Sequence, residues 1–134
     1  MTAKAAGWPA RIERPLVLLI ALHSFVVGLM LLLAPVWSAQ FAGWKATGPE
    51  FFLRQAGVFH LILAVGYVVE HFRAGGVILL VTAKTTAFVF LLVSAISPEV
   101  PWAIPFSGAT DGMMGLAAFL VHRRSRRAVS SSCS

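Results

Sequence analysis

GVILLVTAKTTAFVFLLVSAI, residues 76–96, decides the class of this protein. At 1.5 Å per residue it reaches across a ~30 Å hydrocarbon core, and Lys84 is its only charge. A lone charge in hydrocarbon costs several kcal/mol, so such a residue turns toward the protein interior and finds a partner there. The next apolar stretch, IPFSGATDGMMGLAAFLV (104–121), supplies a candidate partner in Asp111.

Two more apolar runs precede these. Residues 15–36 (PLVLLIALHSFVVGLMLLLAPV) are too long for a signal-peptide core of 7–15 residues, and read as a span. Residues 51–69 (FFLRQAGVFHLILAVGYVV) carry Arg54 and Gln55 near their start, where an arginine can snorkel outward or turn inward. The sequence thus predicts an all-α protein: one four-helix integral membrane bundle over 1–134, with spans near 15–36, 51–69, 76–96 and 104–121. A basic, disordered tail is expected over 123–134. Composition agrees, since 58% of the 134 residues are hydrophobic and only 12% charged, about half the share found in soluble domains.

The net charge of +6 is arranged for topology. Lys4, Arg11 and Arg14 precede the first span, Arg73 sits between the second and third, and Arg123, Arg124, Arg126 and Arg127 follow the fourth. With both termini in the cytoplasm, only Lys45 and Arg54 remain on the outer side, so the positive-inside rule favours N-in, C-in. Charge placed this way serves orientation and anionic lipid, and argues against nucleic acid as a partner. Trp37, Trp44 and Trp102 then fall at the outer interface. EHFRAG (70–75) is a short turn that makes the second and third spans antiparallel neighbours, and SPEVPWAIP (97–105) separates the third from the fourth with three prolines.

Depth along each span brings four ionisable residues to one level. His23 and Lys84 lie about 12 Å from the cytoplasmic end, His60 and Asp111 about 15 Å. These four, with Arg54, form the expected intramembrane polar site. Lys84 and Asp111 are expected to pair, and the pair reads more readily as structural than as catalytic. Ser107, Asp111, Met114, Ala118 and His122 share one helical stripe; Ala56, His60, Ala64, Tyr67 and His71 share another. Gly108 and Gly112 have the spacing that lets helices close together. Glu70, His71 and His122 lie at the inner boundary, where solvent or headgroups are the default partners.

No motif for nucleophilic catalysis, nucleotide binding or a structural metal is present. Haem between His23 and His60 is the weaker cofactor option, because their depths differ by about 3 Å. Cys133, the one cysteine, stands next to the last residue and has no partner within the chain.

The chain resembles the DoxX-like group of small bacterial four-span membrane proteins. The resemblance covers residues 15–122 and rests on Leu33-Ala34-Pro35, on Leu53-Arg54-Gln55-Ala56-Gly57 and on Asp111-Gly112-Met113-Met114-Gly115-Leu116. It implies a bundle in the bacterial inner membrane, in a group that includes quinol oxidase subunits and partners in thiol-redox complexes. It also associates Arg54, Lys84 and Asp111 with the family's internal polar residues, while the lack of a membrane-embedded cysteine speaks against a thiol relay here. The expectation is a non-enzymatic accessory or scaffold subunit with membrane-protein partners. The alternative is a quinone or other lipophilic small molecule, or a proton relay, at the polar site, with the cavity between the second, third and fourth spans.

Overall fold

The computed structural model describes residues 8–130, and side chains from 11 to 128; Lys4, Cys133 and the end of the tail lie outside them. The described residues are helical, with no strand among them. α1 (Trp8–Leu33), α3 (Glu50–Val69), α4 (Ile78–Ser94) and α5 (Ala103–Ser130) are long, and α2 (Pro35–Phe41) is a short helix between α1 and α3.

Three segments are long and apolar enough to cross a membrane: Arg11–Leu33, Glu50–Ala74 and Ala103–Ala128. α4, with 17 residues, is shorter, about 25 Å; the span expected over 76–96 is helical from Ile78 to Ser94. α1 packs along α3 and α4 along α5, and α1 joins the two pairs by also lying on α5. The small core consists of Val17, Ile20, Ala21, Tyr67, Val77, Leu80 and Ala118. Large apolar side chains cover the outside instead: Leu19, Ile62, Phe90 and Leu116 are each more than half exposed. A surface of that kind is stable against lipid and not against water.

Several boundaries differ from the sequence reading. The first span ends at Leu33 rather than residue 36, because Ala34 precedes Pro35 and is pushed out of helical geometry (φ −132°, ψ 59°). Pro35 then starts α2, where its missing N–H costs nothing. The Ser38 hydroxyl lies 2.9 Å from the Met30 carbonyl and 2.8 Å from that of Ala34, covering the end of α1. The turn expected at 70–75 prolongs α3 by one wide, π-helical turn (Glu70–Ala74), closed by Gly75 in the left-handed conformation at φ 62°.

The tail expected to be disordered from 123 is helical to Ser130. Nothing after Gly115 breaks the helix, and arginine and alanine are good helix formers.

At the end of the bundle away from the chain termini, Trp37 stacks on Phe41 (5.4 Å), Phe41 meets Trp102 edge-on (6.2 Å), and Trp102 lies 5.9 Å from Phe106. Gly43, at φ 95°, lies under this cluster, and a Cβ there would come 2.9 Å from the Trp102 ring.

Candidate functional site

Lys84 lies on the buried face of α4, and Asp111 on the stripe of α5 that faces it. Lys84 Nζ donates to Asp111 Oδ1 at 2.6 Å, with the lysine side chain 6% and the aspartate 15% exposed. The two helices come this close because the contacting positions on α5 are glycines. A Cβ would fall 3.2 Å from Leu91 Cβ at Gly108, 2.8 Å from the Phe88 ring at Gly112, and 3.2 Å from Lys84 Cβ at Gly115. The α4–α5 seam is therefore closed around the pair, and three small residues carry the closure rather than the two of the GxxxG pattern.

The other expected members do not form a common site with it. His60 donates from Nδ1 to the Ala56 carbonyl one turn earlier (2.9 Å), so that nitrogen is satisfied within α3. His23 is within electrostatic range of Lys84, Asp111 and His60. It is nonetheless exposed, and lines an apolar groove between α1 and α5, while its neighbour Ser24 is buried. Arg54 is not part of the polar layer. Its Nη1 donates to the Leu32 carbonyl (2.6 Å) and its Nη2 to Glu50 (3.0 Å), so it caps the open end of α1 from α3, a half-exposed position. An arginine one turn from the start of a helix reaches the end of its antiparallel neighbour more readily than the bundle centre.

Sequence reasoning missed a second polar cluster, at the end of the bundle that carries the termini. Glu13 is 8% exposed. Its Oε1 is hydrogen-bonded to His122 Nδ1 of α5 (2.6 Å) and lies 4.0 Å from His71 Nδ1, beyond α3. The His71 side chain is 8% exposed and its Nδ1 has no hydrogen-bond partner. Three elements thus meet on one carboxylate. Arginines flank Glu13 on both sides in sequence, which disguises it as part of a basic topology signal; its position four residues before Val17, on the buried face of α1, is the clue that could have found it. Among the described residues no group of three His, Cys, Asp or Glu is placed to hold a metal ion.

Glu70, for which solvent or headgroups were the default expectation, caps α4 instead. Its two carboxylate oxygens accept from the backbone N–H groups of Ile78 (2.8 Å) and Leu79 (2.9 Å). The first amides of a helix have no acceptor within it, and here a carboxylate across the turn supplies one.

No family model matches this chain, and neither a curated protein nor a solved structure matches it.

Proposed function

We propose that this chain is a small non-enzymatic membrane protein of the DoxX-like kind, an accessory or scaffold subunit of a larger, redox-linked assembly in the bacterial inner membrane. In this reading α4 also crosses the membrane, as the third of four spans, and both termini face the cytoplasm. α4 follows α3 after a short turn and packs along α5, and Ile78 at its start and Ile96 just beyond its end are 76% and 80% exposed, as lipid-facing ends of a span would be. The basic residues Arg11, Arg14, Arg73 and Arg123–Arg127 then share one side.

The observation that carries the reading is the closed Lys84–Asp111 pair. Groups meant for a substrate are kept available, whereas these two are spent on each other and sealed by glycine contacts. A charged pair inside the bundle fixes which faces of α4 and α5 meet, a specifying role that an apolar contact performs less strictly. What remains for interaction is the outer helical surface and the aromatic cluster of Trp37, Phe41 and Trp102.

The alternative, a quinone or proton site built from His60, Lys84 and Asp111, has less support. Two of the three are paired and the third is bonded to its own helix. The deciding experiment isolates the protein from native membranes in mild detergent for native mass spectrometry and solvent extraction. Other polypeptides in fixed ratio support the subunit reading. A lone chain carrying one extractable quinone per molecule would overturn it.

A further inference from the structure

α4 packs along α5 and touches α3 only lightly, so the side of it turned away from α5 is open. Along that side, at alternating steps of four and three residues, stand Ile78, Thr82, Thr85, Val89 and Leu92, all of them exposed. Steps of this kind form the seam of a left-handed helix pair. Every helix has some face with that spacing; the composition of this one sets it apart. Four of the five residues are β-branched, with χ1 already restricted by the helix, so packing them against a neighbour costs little entropy. The outward sides of α1 and α3 carry Leu18, Leu22, Phe52 and Phe59 instead.

The two threonines are the chemical signal. Ser94 of α4 and Thr110 of α5 donate to the carbonyl one turn back in their own helices, at 2.8 and 2.9 Å. Thr82 and Thr85 make no hydrogen bond and stand exposed in the middle of an apolar stretch. Between helices in a membrane, threonine hydroxyls find their partners across the interface. On the side toward α5, Thr85 also borders a groove of about 610 Å³, lined with Val81, Phe88, Gly112 and Leu116 among others. It leaves room beside the seam for the flanking side chains of a neighbouring helix.

The chemistry of the seam selects the neighbour. It holds no charge, so a copy of itself brings no like-charge repulsion. A hydroxyl both donates and accepts, so a threonine can bond to the same threonine of a second copy. Two copies inserted the same way are related by a two-fold axis along the membrane normal. That axis sets their α4 helices parallel and brings each seam residue to its own counterpart.

We propose that α4 forms a dimer interface, its Ile78, Thr82, Thr85, Val89 and Leu92 packing against the same residues of a second copy. Thr82 and Thr85 hydrogen-bond across the two-fold axis. The inference rests on α4 being a span, which labelling of Ser97→Cys checks on its own, and it does not need the subunit reading.

The test uses the full chain in native membranes with Cys133 replaced by Ser. Thr82→Cys, Thr85→Cys and Val89→Cys, made one at a time, should each give on mild oxidation a disulfide-linked product of twice the chain's mass. Ile62→Cys, 59% exposed on α3, measures random collision and should give several-fold less. In mixed micelles, subunit exchange followed by fluorescence energy transfer then reads the hydroxyls. Thr82→Val/Thr85→Val should raise the dimer dissociation constant by about tenfold, at about threefold for each interhelical hydrogen bond. Its thermal unfolding should keep the wild-type helix content, because both side chains lie outside the bundle. Seam cysteines that cross-link no better than Ile62→Cys would overturn the interface, and so would an unchanged dissociation constant in the valine variant. Cross-linking to a polypeptide of another mass would assign the seam to a different subunit and overturn the second copy.

Discussion

Gly28 and Gly57 face each other across α1 and α3 at backbone contact. A Cβ on Gly57 would lie 2.7 Å from the Gly28 carbonyl oxygen and 2.8 Å from the Leu32 nitrogen. Neither obstacle is a side chain that can swing away. Gly57→Ala should therefore force the two helices apart and cost about 1–3 kcal/mol. Gly48→Ala, where a Cβ meets nothing within 4 Å, is the matched control. Equal melting temperatures for the two variants would show that the α1–α3 crossing is looser than described.

The Lys84–Asp111 pair predicts strong coupling. Lys84→Met or Asp111→Asn alone leaves one buried polar group without its partner, a loss of about 3–5 kcal/mol. The double variant removes both and should be more stable than the sum of the single effects implies. Thermal unfolding of the four proteins in one detergent checks this, and strictly additive shifts would deny the pairing.

Glu70 should matter locally. Glu70→Ala frees the N–H groups of Ile78 and Leu79 and should cost about 1 kcal/mol, as loss of a helix cap does. Hydrogen exchange at these two amides should speed up while exchange at Leu80 and beyond changes little. Unchanged protection at Ile78 and Leu79 would show that another acceptor serves them.

Orientation can be read chemically. With Cys133 replaced by Ser, Ser97→Cys should be labelled from outside intact cells by an impermeant maleimide, and Ser132→Cys only after the membrane is opened. The reverse pattern would place the basic ends outside, against the positive-inside rule.

The helices were legible because spans announce themselves by composition: a run near twenty apolar residues has no other stable place. Pairing of Lys84 with Asp111 was legible for a related reason, since two charges at one depth in hydrocarbon have few partners to choose from. Arg54 was not, because its position alone leaves open whether a long side chain turns to the centre or to the rim. The decision lay with the unbonded carbonyl of Leu32 on a neighbouring helix. His23 shows the same limit, because depth is set by residue count but the direction around the helix depends on which neighbours pack there.

The sequence by itself determined an all-helical, lipid-compatible chain, the neighbourhoods in which its helices break but not their bounds, and the common level of Lys84 and Asp111. These follow from hydropathy, backbone sterics and rise per residue, which are local. Only the tertiary structure decided that Glu13, His71 and His122 meet and that Glu70 caps α4. Glu13 and His122 are 109 residues apart. No local rule brings them together; the packing of α1 on both α3 and α5 does, because one helix buried on two sides gathers the ends of both neighbours around its own.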